Sequence, residues 1–153
     1  MNRTTLRKIH AIAAVMAFCC IALFWSSTLI SELFLSLAAV VKVKQLIVYT
    51  MILFIPSMAI MGATGMKMGG KSTFAPIAAK RKRMPVIAMN GLLILLPAAF
   101  FLNSKAQAEA FDSVFYTVQV IELLAGLVNL SLMGLSMRDG FAIRRGKKRD
   151  DLI

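Results

Sequence analysis

Glu122 lies in a run that is otherwise almost wholly apolar, VFYTVQVIELLAGLVNLSLM. Gln119 stands three residues before it, and Gly126, Asn129 and Met133 follow at steps of four, three and four. On a helix those positions share one face, so a carboxyl and two carboxamides line up beside a glycine that lets a neighbouring backbone approach. That set could bind a proton or a cation, or hydrogen-bond a substrate. The alternative is a carboxyl that simply holds helices together. A second candidate is His10, the only histidine, in LRKIHAIAAVMAF. Its imidazole could ligate a metal, carry a proton, or rest among lipid headgroups beside Arg7 and Lys8.

The elements that must position these residues follow from composition. Of 153 residues, 59% are hydrophobic and 16% charged, too little polar surface to cover a water-soluble globule. Four apolar stretches, about 9–31, 45–65, 85–103 and 114–137, are each long enough to cross a bilayer core of about 30 Å as a helix. None alternates as barrel strands do. The expected fold is an all-α membrane protein, a single four-transmembrane-helix bundle without internal repeats. Pro56 and Pro97 are expected to kink the second and third segments.

The net charge of +11 is distributed unevenly. Arg3, Arg7 and Lys8 precede the first segment, Lys67, Lys71 and the run Lys80 to Arg83 lie between the second and third, and the tail 138–153 carries six more. Only Lys42, Lys44 and Lys105 fall in the two opposite connections. The positive-inside rule then predicts both termini on the cytoplasmic face of a bacterial inner membrane. The basic runs are read as anchors on anionic headgroups, and not as a nucleic-acid surface, since no aromatic residues interleave them.

Two connections differ in kind. ELFLSLAAVVKVK, residues 32–44, is too apolar for a free loop and is expected to extend the first helix or lie in the interface. NSKAQAEAFDS is polar, with Asp112 and Ser113 placed to cap the fourth helix. The apolar run that opens the chain is longer than the core of a secretory signal and reads as a retained helix. Cys19 and Cys20 are adjacent in mid-helix and point about 100° apart, which excludes a disulfide between them and suits packing. Phosphate loops, paired catalytic carboxylates and nucleophile–base pairs are missing from the sequence, so an enzyme acting alone is not expected.

By register, His10 shares a leaflet with Met66, Met68, Met84, Met89, Met133 and Met137. Imidazole and thioether are axial ligands of haem and also suit copper. The small residues Ala14 and Ala17 follow His10 on its helical face, which suits close packing or a flat prosthetic group. A relay from His10 to Glu122 would have to cover about 15–20 Å at 1.5 Å per residue.

The opening LRKIHAIAA resembles the start of small bacterial b-type cytochromes and of membrane-anchored reductase helices. The resemblance implies haem b held by His10, with Met66, Met89 and Met133 as neighbours. Further histidines, usual in those proteins, are missing, so a bis-histidine site would need a homodimer. The whole chain also resembles small four-helix bacterial inner-membrane proteins without an assigned activity. Size and a membrane carboxylate suggest the four-helix multidrug exporters, but those carry the essential Glu in their first helix. The expectations are therefore an electron-transfer or redox-sensing haem protein, a proton-coupled transporter using Glu122, Gln119 and Asn129, or an assembly subunit with no site of its own.

Overall fold

The computed structural model describes the backbone of residues 2–69 and 75–150, and side chains within 2–68 and 82–141. Helix α1 spans Arg3–Phe34, α2 Leu37–Gly69, α3 Ala75–Asn90, α4 Leu96–Gln107 and α5 Ser113–Asp150. A π-helical turn, Gly91–Leu95, joins α3 to α4 without a break, so the two form one crossing element. All four crossing elements are long and apolar enough to span a membrane. No strand occurs among the described residues.

The helices overrun the predicted segments at both ends because polar and basic turns continue the helical backbone beyond the apolar stretch. The largest difference concerns residues 32–44. Helix α1 continues to Phe34, the chain turns at Leu35 and Ser36, and 37–44 form the first turns of α2. Lys44, grouped with the loop cations by sequence, therefore stands inside the bundle. The tail also differs, since α5 remains helical through Asp150. Side chains of the anchor cations Lys71, Lys80 and Arg81, and of those from Arg144 to Arg149, lie outside the described residues.

Helix α1 packs along α2 and against α5, while the third crossing element packs against both α2 and α5. Among the described residues, the backbones of α2 and α5 do not meet, nor do those of α1 and the third element. The bundle is thus a ring of four with two open diagonals. Its central core joins Ala17 and Ile21 of α1, Ile47, Met51 and Phe54 of α2, Ile87, Ala99 and Met133. A smaller cluster of Val40, Leu102, Ala106 and Phe115 closes the end beside the Leu35–Ser36 turn.

Pro97 shapes the third element. A proline has no N–H to offer the preceding turn, and its ring crowds the carbonyl four residues back. The strain is taken up just before it, where Leu96 N–H reaches Gly91 O in the wider π pattern. Pro56 is accommodated within a continuous α2. Asp112 Oδ1 accepts the Phe115 N–H at 2.9 Å, the cap expected for the last helix.

Candidate functional site

Helix α2 turns Val40, Lys44, Ile47, Met51 and Phe54 inward at steps of four, three, four and three. Lys44 is therefore held on the core stripe, its side chain 1% exposed. It crosses the α2–α5 diagonal and donates from Nζ to Glu122 Oε2 at 2.7 Å. Gln119, one turn earlier on α5, donates from Nε2 to the same oxygen at 3.0 Å. A charge buried in an apolar bundle is tolerated when paired and hydrogen-bonded, which explains the convergence.

The pairing is incomplete. Glu32, near the end of α1, lies within electrostatic reach of both Lys44 and Glu122. Its Oε1 is buried with no hydrogen-bond partner, and so is Gln119 Oε1. Exchanging the O and N of Gln119 would aim its oxygen at a carboxylate, so its orientation is fixed by chemistry. The cluster holds two carboxyls and one ammonium, with two acceptor atoms unsatisfied.

Beside it runs a cleft of about 40 Å³. Thr28 and Glu122 stand at its polar end, and Trp25, Phe24, Phe54 and Met51 are among its walls. Trp25 is the chain's single tryptophan, and its Nε1 donates to Leu123 O at 2.9 Å. Gly126 makes that position possible, since a Cβ there would meet Trp25 Cδ1 at 3.0 Å.

The α5 face read from sequence is realised: Gln119, Gly126, Asn129 and Met133 are buried and Glu122 nearly so. Asn129, however, serves a different place. Asn90 Nδ2 donates to Asn129 Oδ1 at 2.9 Å and to Ala125 O at 2.8 Å, while Asn129 Nδ2 donates to Ile87 O at 3.4 Å. The two amides clasp α3 to α5 beside the π turn.

His10 is buried at the other end of the bundle. Its Nδ1 lies 3.1 Å from Met61 O and 3.0 Å from Thr64 Oγ1. Met61 O can only accept, and the Thr64 hydroxyl already donates to Ile60 O, so Nδ1 is the donor in these contacts. Met84, Met133 and Met137 line a cleft with the imidazole. Met66 and Met89 do not join them; they are 74% and 57% exposed on the outer surface.

The donor chemistry at His10 suits iron, but the space does not hold a porphyrin. The cleft is about 30 Å³, against about 300–1,000 Å³ for the pocket of a drug-sized ligand. As packed, the residues do not fit haem. No group of three or more His, Cys, Asp or Glu that could hold a metal ion occurs among the described residues.

Sequence reasoning found Glu122 and Gln119 but missed Glu32 and Lys44. The available signal was the apolar stripe through Val40, Ile47, Met51 and Phe54, which includes Lys44 once α2 is begun early enough. Fold and site together define a multi-pass membrane protein with an ionisable cluster inside its helix bundle. Comparison with models of protein families, with curated proteins and with solved structures finds no match to this chain.

Proposed function

We propose that this protein is a small proton-coupled membrane carrier whose coupling site is Glu122 with Glu32, Lys44 and Gln119. One observation carries the reading: two carboxyls from α1 and α5 share a single ammonium from α2 inside an apolar bundle, with acceptor oxygens left unbonded. A fully ionised cluster would hold one uncompensated negative charge, which is costly in a membrane unless a proton or another cation balances it. An exchangeable positive charge is what a coupled carrier requires.

The test is proton movement in liposomes containing a pH-sensitive dye, driven by a potassium diffusion potential. Wild-type protein should admit protons faster than empty liposomes, and Glu122→Gln should return the rate to background. Equal rates for both proteins would refute the reading.

A haem b protein is the second reading. In its favour, His10 offers Nδ1–H to a backbone carbonyl, the arrangement that orients many metal-bound imidazoles. Against it stands the packing of the helices at that end. A visible spectrum of protein purified with adequate haem supply, beside His10→Ala, separates the two.

A further inference from the structure

We propose that the cleft at the His10 end of the bundle binds a single soft monovalent metal ion, copper(I) or silver(I), through the thioethers of Met61, Met84, Met133 and Met137. Four of the eight residues lining the cleft are these methionines, and a fifth is His10. They come from every crossing element: His10 from α1, Met61 from α2, Met84 from α3, Met133 and Met137 from α5. The cleft holds about 30 Å³, more than the about 10–15 Å³ that one water-sized body needs. A bare ion enters where a porphyrin does not.

The fold brings the sulfurs to one place. Met133 and Met137 stand one turn apart on α5, so both reach the same side. Arg83 Nη1 donates to Asp139 Oδ2 at 2.6 Å, which draws α3 to α5 one residue before Met84 and two beyond Met137. Gly65 of α2 clears the space between, because a Cβ there would lie 3.2 Å from both Met84 Sδ and His10 Cε1. The Met84 sulfur and the imidazole therefore share the room that the glycine leaves. The bond between His10 Nδ1 and Met61 O ties α2 to the same spot.

Donor chemistry selects the ion. Thioether sulfur is a soft ligand that favours copper(I), whereas magnesium, calcium and manganese take oxygen. Among the described residues the cleft presents no carboxylate, and its hydroxyl, Ser136 Oγ, donates to Leu132 O at 2.8 Å. Methionine also serves as a filler of irregular gaps, but filling would close the space that these four surround. The site uses none of the residues of the charged cluster, so it stands apart from the carrier reading.

The test is metal retention by purified protein in detergent and chloride-free buffer. The protein carries Cys19→Ala and Cys20→Ala, because thiols also bind soft ions. Silver(I), or copper(I) kept reduced by ascorbate, should remain after desalting at a single ion per chain, while zinc(II) and magnesium(II) wash away. Met84→Leu and Met133→Leu nearly conserve volume and should each weaken binding at least about tenfold, since even supporting residues tune metal affinity by about 10–100-fold. Gly65→Ala reaches the same site by crowding Met84 and should weaken it too. Met66→Leu and Met89→Leu, at exposed positions, should leave retention unchanged, as should Glu122→Gln.

Circular dichroism checks that each variant keeps its helices. The proposal is overturned if the cysteine-free protein retains neither soft ion, if zinc(II) is retained equally, or if Met84→Leu and Met133→Leu bind like their parent. Loss of the ion in Met66→Leu or Met89→Leu would also overturn it, by placing the metal on the outer surface.

Discussion

Lys44 Nζ and Glu122 Oε2 meet at 2.7 Å across a diagonal of the bundle whose two helices have no backbone contact among the described residues. Among the described residues, the ion pair is thus a direct polar tie between α2 and α5. Removing one member of a buried pair costs about 3–5 kcal/mol, whereas replacing both with apolar residues of similar size is often neutral. Lys44→Met should accordingly destabilise the protein by several kcal/mol, and Lys44→Met with Glu122→Leu should recover most of that loss. Unfolding in mixed detergent and SDS would measure both, and additive losses would contradict a coupled pair.

Gly126 should be intolerant of a side chain where Gly134 is not. A Cβ at 126 presses on the Trp25 ring, while a Cβ at 134 meets nothing within 4 Å. Gly126→Ala should shift Trp25 emission and cost about 1–3 kcal/mol from overpacking. Gly134→Ala should be neutral or slightly stabilising by helix propensity. The same unfolding assay, read with tryptophan fluorescence, compares the two.

Asn129→Leu should remove the interlock with Asn90 and expose the cost of an unpaired amide beside the π turn. Hydrogen bonds between membrane helices average about 0.6 kcal/mol and reach about 1.7. A loss near about 1 kcal/mol is expected, since Asn90 keeps its bond to Ala125 O. Proton flux should persist in this variant, because Asn129 lies away from the charged cluster.

Asp112 gives a pH dependence of defined sign. The hydrogen bond from Lys105, the amide of Phe115 and the Lys105 charge hold its carboxyl below the ordinary carboxylate range. The unfolded carboxyl ionises near about 3.9, so the stabilisation is fully present above that value and fades as pH falls through the lower folded value. Asp112→Asn keeps a good helix cap but loses the charge. Its melting temperature should lie below wild type at neutral pH, and the gap should close in acid.

His10→Ala should break the contact that ties the start of α1 to the end of α2 near Thr64. With the helices packed as they are, wild-type protein supplied with haem should show no Soret band that depends on His10. A sharp reduced α band lost in the variant would instead establish the haem reading.

The crossing segments were legible because twenty apolar residues have few fates, and the α5 face because its polar residues keep a helical period. Lys44 and Glu32 were not, for a local reason. ELFLSLAAVVKVK contains neither glycine nor proline, so nothing in it marks Ser36 as the turn. Lys44 therefore looked like a loop cation, not the eighth residue of a helix. Its partnership with Glu122, 78 residues away, depends on which helices face each other across the ring, and apolar periodicity does not encode that. Thr64, which receives His10, was hidden in the same way. Pro97 did announce an irregularity, but whether as a bend or a π turn depended on the packing of Gly91 against α5.

The turn at Leu35 and Ser36 has a mechanical meaning. With two residues between them, α1 and α2 cannot part at that end and travel together as a hairpin. Opening the bundle with that end closed would unzip the seams toward α4 and α5 from the other end. Two bonds from this hairpin to α5, Lys44 to Glu122 across the diagonal and Trp25 to Leu123 along the α1–α5 seam, lie in the half of the bundle nearer that turn, where a small rotation displaces atoms least. The same rotation moves the far end most, so the jaws of the molecule are where His10 and the methionines meet.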